Sequence, residues 1–232
     1  MAKISEIKEE EMIQAGVHLG HKTSKIHPKM QPYISGVRSG VHIIDVKKTK
    51  EKLAEALAFI QNLISEGKTL MLVGTKIQVR DMIDSIAKEC GLPYVKERWL
   101  GGTLTNFEAM MKRVAYYKEL EAKKAAGELE KYTKKERANF DQELKRLEIK
   151  FGGMKNLNKL PDAVFVCDMI KDGLAVREAK ARSIQVIGIC HTNTDPTLAD
   201  YPIPANDDAS SSVKYILDKI KEVCLKSNKS KN

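Results

Sequence analysis

Between Gly16 and Gly40 the chain carries His18, His21, Lys22, Lys25, His27, Lys29 and Arg38, and no acidic residue. Histidines at this spacing invite a metal reading through His18, His21 and His27. No cysteine or carboxylate lies nearby in sequence to complete such a shell, so no metal site is assigned. The alternatives are contact with phosphate groups, which acid-free cationic segments favour, and histidines packed in a core. Lys22, Lys25, His27, Lys29 and Arg38 are therefore candidates for binding a polyanion. Arg98 is another, as are Lys131, Lys134 and Lys135 in a second basic cluster.

Catalytic chemistry finds less support. The dinucleotide fingerprint GxGxxG is absent, and no GxSxG nucleophile elbow occurs. Gly67-Lys68-Thr69 resembles the end of a P-loop, but Asn62 stands where the first glycine is required. The triplet also precedes a strand instead of following one. Asp168, Asp172, Asp195, Asp207 and Asp208 could gather at strand ends and hold Mg²⁺. Turn and cap roles are the commoner use of aspartate in such places.

These residues hang on alternating strands and helices. Val41–Val46 reads as a first strand. An apolar stripe of Leu53, Leu57, Ile60 and Ile64 marks a helix over about 49–66. Residues 69–73 form a continuous apolar strand of the kind found inside a covered parallel sheet. Thr75 with Gln78 predicts a cap for the next helix, Gly91 its end, and Tyr94-Val95 a short strand. Later strands are expected at 163–168 and 186–190, with YPIP at 201–204 as an edge element. Helices are expected at about 4–15, 174–182 and 209–226.

The gap between Val95 and Ala163 is too long for one crossover. It opens with Arg98–Phe107, RWLGGTLTNF, in which Gly101-Gly102 permits a sharp bend and Thr105 with Glu108 fits a capping box. Trp99, the only tryptophan, is read as core, with stacking on a base or partner as the sharper alternative. Phe107, Met110, Val114 and Tyr117 then step by three, four and three. Phe140, Leu144, Leu147 and Phe151 step by four, three and four. Gly127 and the Thr133–Glu136 capping box separate them, giving an antiparallel coiled-coil hairpin that projects.

The fold class is thus α/β: a parallel sheet of about five strands flanked by helices, with an inserted helical hairpin. The expected organisation is an N-terminal helix and basic extended arm over 1–40, stiffened by Pro28 and Pro32. An α/β domain follows over 41–105 and 152–226, with the hairpin at 106–151 and a basic tail at 227–232. The chain has 232 residues, 42% hydrophobic, and a formal net charge of +9. Hydrophobicity at that level implies a globular core, and the surplus charge points to polyanionic partners. The four cysteines form no CxxC pair and suit a reducing cytosol. No signal peptide opens the chain and no apolar run suffices to span a bilayer.

Four blocks carry a family resemblance. AGVHLGHKTSKIHPKMQPYISGVRSGVHIIDVKKT (15–49), RWLGGTLTNF (98–107), FGGMKNLNKLPDAVFVCDMIKDGLAVREA (151–179) and TNTDPTLADYPIPANDDA (192–209) are similar to the motifs of bacterial ribosomal protein S2, in that family's order. The resemblance implies a flavodoxin-like domain with a protruding coiled coil. It also implies a structural, non-enzymatic component of the small (30S) ribosomal subunit, with no cofactor or small-molecule substrate. Its implied partners are 16S rRNA and other small-subunit proteins, including the mRNA-capturing ribosomal protein S1. Its implied location is the cytoplasmic ribosome, with an organellar ribosome as the alternative. One departure is His191, where the family usually has aspartate. Two competing readings are a phosphate-ligand enzyme on the same sheet and an adaptor that holds a protein through its hairpin.

Overall fold

The computed structural model describes residues 7–229. A short helix α1 (Glu9–Gln14) leads into three strands, β1 (Leu19–Lys22), β2 (Ile34–Arg38) and β3 (Val41–Ile44). These pair antiparallel in the order β1-β3-β2. Residues 4–6 of the expected first helix, and 230–232 of the expected tail, lie outside the described residues.

This small sheet corrects two expectations. Val41–Ile44 is not a strand of the parallel sheet, because Ser39 and Gly40 both take positive φ (52° and 75°). Two such residues make the tight turn that suits a β-hairpin, so β3 folds back on β2 locally. Nor are residues 16–40 an extended arm. Pro28 and Pro32 lie in a 3-10 helix over Pro28–Tyr33, capped by the His27 ring, which accepts the Lys29 N–H. At Gly20, an added Cβ would stand 2.7 Å from both the His42 carbonyl oxygen and Thr192 Cγ2. Only glycine allows β1 to close on its neighbours there.

The parallel sheet contains β4 (Leu70–Val73), β5 (Tyr94–Val95), β6 (Ala163–Val166), β7 (Gln185–Cys190) and β8 (Tyr201–Pro204). Their order is β5-β4-β6-β7-β8, which is the flavodoxin-like 2-1-3-4-5 winding. The proline-bracketed YPIP segment forms the edge strand, paired parallel to β7. Proline is tolerated there because an edge strand has one side free of ladder bonds.

Helices α2 (Val46–Ser65), α3 (Arg80–Cys90) and α7 (Ser210–Lys229) pack on one face of the sheet. Leu53, Leu57 and Ile60 of α2 meet Leu70, Leu72 and Phe165 in that layer. Asp45 caps α2 by accepting the Lys47 and Lys48 N–H groups. The alternate strand residues Met71, Val73, Val164 and Val166 point to the second layer. This layer is closed by α6 (Gly173–Ala181) and by the root of the helical hairpin.

The hairpin is α4 (Phe107–Ala125) and α5 (Lys134–Phe151). Val114, Tyr117 and Leu120 bury against Leu144, Leu147 and Phe151. Gly127 turns the chain at φ 73°, and the Thr133–Glu136 capping box forms. Residues 130–139 are exposed throughout. The other two expected caps do not form: α3 and α4 start without a side-chain cap. Thr75 is instead bonded to Asp172, and Thr105 to Glu178.

Candidate nucleic-acid interface

Open α/β sheets bind ligands beyond the carboxyl ends of their strands, where the winding reverses. Here that point lies between β4 and β6. Gly74 follows β4 in tight packing, with an added Cβ only 3.0 Å from Ile83 and 3.1 Å from Cys167 Sγ. The next two side chains fill the crevice. Thr75 donates to Asp172 through its N–H (3.2 Å) and its hydroxyl (2.8 Å). Lys76 Nζ sits 2.8 Å from Asp168, 3.0 Å from Asp207 and 2.8 Å from Asp208.

The carboxylates considered for Mg²⁺ therefore do gather, but around the chain's own ammonium. Burial opposes the Lys76 charge, and its three carboxylate partners outweigh that and raise its pKa. Burial and the nearby Asp168 charge push Asp207 up to about 7, against the pull of Lys76. Asp208, more exposed, is held below its ordinary value by Lys76 in spite of its own desolvation. Asp195 lies apart from this cluster, tied to Lys29.

The junction 98–107 is organised by a residue the sequence did not single out. Glu178 on α6 is buried, and its carboxylate accepts from Trp99 Nε1 (3.3 Å) and from the N–H groups of Gly102 (2.8 Å), Leu104 (2.9 Å) and Thr105 (3.3 Å). Burial alone would raise its pKa, but these donors lower it. Trp99 is core, as its first reading had it. The available signal was an acid inside a helix whose neighbours Ala175, Val176 and Ala179 are apolar.

The candidate cations lie in three places: around the small sheet, beyond the end of β5, and at the hairpin tip. Lys22 and Arg38 flank Val41 in register across the small sheet. Lys25 joins them through a turn in which its N–H bonds the Lys22 carbonyl. All three are exposed, and none makes an ion pair among the described residues. Lys29 differs: its ammonium bonds Asp195 and Thr197, each at 2.8 Å. His27 leans the same way, 4.0 Å from Asp195. This pair ties the small sheet to the segment after β7, and the Lys29 ammonium holds the Asp195 carboxyl well below the usual range.

Arg98 is exposed beyond β5. Lys131, stacked over Tyr132 at 5.6 Å, lies with Lys134 and Lys135 at the hairpin tip. An arm of about 27 Å separates this tip from the body, at 1.5 Å per helical residue. The structure does not bring the three groups together into one patch.

The class that this layout defines is an α/β scaffold whose ligand crevice is filled from within and whose free charge lies on appended elements. Comparison with known proteins agrees. The family model described as Ribosomal protein S2 matches residues 12–227. A small ribosomal subunit protein uS2 from Coprothermobacter proteolyticus is 44% identical over 215 residues, covering 93% of this chain and 80% of the relative. The uS2 protein of Roseiflexus sp. is 45% identical over 214 residues (92% and 82%). That of Thermus thermophilus is 44% identical over 220 residues (95% and 86%). The chain belongs to the ribosomal protein S2 family, a family of structural ribosomal proteins and not a class of enzyme. Among the described residues no helix is long and apolar enough to cross a membrane.

Proposed function

We infer that this chain is a structural component of the small ribosomal subunit that grips 16S rRNA through its phosphates and works at the cytoplasmic ribosome. One observation carries the reading. Lys22, Arg38 and Lys25 cluster at one end of the small sheet, exposed and free of ion pairs among the described residues, in a segment with no acid to neutralise them. A-form RNA hides its base edges in a deep groove, so recognition rests on shape and backbone. The hairpin-tip lysines and Arg98 supply further contacts at other points of the same RNA. Seating of ribosomal protein S1 is the protein-partner part of the proposal, supported by family membership.

The test is binding of the purified full chain to 16S rRNA at a series of salt concentrations. Each phosphate contact contributes about −0.7 to −0.9 to the slope of log affinity against log salt. Reversing Lys22, Lys25 and Arg38 to glutamate should flatten the slope by about two to three. An unchanged slope would remove this cluster from the interface. For the protein partner, a pull-down of purified ribosomal protein S1 with subunits carrying or lacking this chain gives the answer. Equal capture by both would refute that part.

A further inference from the structure

Where the small antiparallel sheet meets the carboxyl edge of the parallel sheet, three segments far apart in sequence present ligand atoms to one point. His21 comes from β1, His191 directly follows β7, and Asp208 precedes α7. One ligand atom from each lies within 4.8 Å of the other two. The two imidazole rings stack at a centroid distance of 3.7 Å. Asp208 Oδ2 is 3.6 Å from His21 Nδ1 and 4.0 Å from His191 Nε2. We propose that His21, His191 and Asp208 form a binding site for a divalent transition ion of the zinc type.

The distances are close to what such an ion needs. Bonds of about 2.0–2.1 Å in a tetrahedral shell place neighbouring ligand atoms roughly 3.3 Å apart. The two carboxylate–imidazole distances must each shorten by less than about 1 Å. Because the stacked rings lie within 13° of parallel, one imidazole must turn out of the stack so that both in-plane lone pairs point at the ion. Two imidazole nitrogens with one carboxylate select zinc and its neighbours over the hard ions Mg²⁺ and Ca²⁺, which prefer all-oxygen shells. Burial lowers the pKa of both imidazoles. A cavity of about 640 Å³, lined by His18, Arg38 and Asn206, opens on the cluster. It leaves room for water as the fourth ligand.

The surroundings supply the outer partners that ligating groups require. Lys76 holds the other oxygen of Asp208, Oδ1, at 2.8 Å, which leaves Oδ2 toward the rings. The charge of that ammonium is already offset by Asp168 and Asp207. Asn193 Oδ1 is buried beside the His21 ring and has no hydrogen-bond partner among the described residues. It is the natural acceptor for the ring proton of a ligated His21.

At His191 the Thr192 N–H now donates to Nδ1 at 2.8 Å, which puts the ring proton on Nε2. On binding, that proton moves to Nδ1 and the Thr192 N–H bond is given up. Thr192 Oγ1, 3.2 Å away, then accepts it. The ion would staple the basic small sheet to the body, acting beside the Lys29–Asp195 tie. Sequence spacing suggested His18, His21 and His27 as the only histidine set. The carboxylate missing from that set arrives here from nearly 190 residues away.

The test uses the full chain, stripped with a chelator and titrated with Zn²⁺ against a chromophoric competitor. One ion per chain is expected, with affinity reduced at least tenfold in both His21→Ala and His191→Ala. The Co²⁺-loaded protein should show a tetrahedral spectrum without thiolate charge transfer, which separates this site from the buried cysteines. Should the alanine variants fail to fold, imidazole nitrogen shifts of the wild type on adding Zn²⁺ decide the matter. Shifts at His21 and His191 support the site, and unmoved signals overturn it. Substoichiometric binding by the wild type, undiminished affinity in both variants, or thiolate bands would also overturn it. None of these readouts depends on RNA, so the ribosomal reading stands or falls separately.

Discussion

Replacing Glu178 by glutamine changes one oxygen to NH₂ at the centre of the 98–107 junction. The native carboxylate accepts from Gly102 and Trp99 on one oxygen and from Leu104 and Thr105 on the other. An amide has one acceptor oxygen, so two of these donors must face an N–H group. Hydrogen bonds to a charged group are worth about 1.5–3 kcal/mol each, so losing two costs roughly 3–6 kcal/mol. That is a large share of the roughly 5–15 kcal/mol total of a typical domain. The assay is urea unfolding followed by the fluorescence of Trp99, which is both the only tryptophan and one of the donors to Glu178. The pH dependence has a definite sign. Although burial opposes it, the backbone donors set the folded pKa of Glu178 below its ordinary value. Its contribution is therefore complete above the unfolded pKa of about 4.3 and is lost as pH falls through the folded value. The gap between wild type and Glu178→Gln should narrow in acid. A gap under about 1 kcal/mol at pH 7, against the estimate above, would refute the clasp role. A gap that does not narrow below pH 4 would refute the charge as its source.

Other substitutions test neighbouring parts of the account. Gly153→Ala would put a Cβ 2.2 Å from the Tyr94 carbonyl oxygen, whereas Gly152→Ala meets nothing nearer than 3.6 Å. The first should cost about 1–3 kcal/mol or more in urea unfolding, and clearly more than the second; equal costs would mean that the hairpin root is not pressed against β5. Lys76→Met leaves Asp168, Asp207 and Asp208 without their shared cation, and removing one partner of a buried pair costs roughly 3–5 kcal/mol. A neutral result in thermal unfolding would contradict the placement of Lys76. Thr133→Ala breaks the capping box at the hairpin tip and should lower stability by about 1 kcal/mol, measurable as faster hydrogen exchange in the first turn of α5. Lys29→Ala should change the salt slope of RNA binding less than Lys25→Ala does, because its ammonium is already spent on Asp195; a larger change would show that the tie opens on RNA.

What the sequence disclosed follows the range of the forces involved. Elements set by local periodicity were legible: the stripe Leu53, Leu57, Ile60, Ile64, the apolar run at 70–73, and the Thr133–Glu136 box all fold as their spacing indicates. The partner of each strand was less so. VHII has the composition of a buried parallel strand, yet the Ser39-Gly40 turn two residues earlier commits it to an antiparallel hairpin. The two capping boxes that failed did so for a common reason. A side-chain oxygen near a helix start bonds whichever group reaches it, and for Thr75 and Thr105 that group is an acid, Asp172 or Glu178, more than 70 residues later in sequence.

The same reasoning explains why the sequence yields the total charge but does not rank the individual lysines. Net charge is a sum and survives any pairing, but the availability of one lysine depends on what tertiary structure sets beside it. Lys29 and Lys25 look equivalent in the sequence, four residues apart in one acid-free stretch. Folding brings Asp195 to the first, and among the described residues no acid forms an ion pair with the second. Lys76 drew no notice, since a single lysine after an apolar strand suggests nothing, yet it closes the crevice that this winding leaves open in nucleotide-binding relatives of the fold. A scaffold whose ligand end is filled by its own salt bridges can spend its remaining exposed cations only on its outer elements, the small sheet and the hairpin. Those are the places where the RNA contacts are proposed.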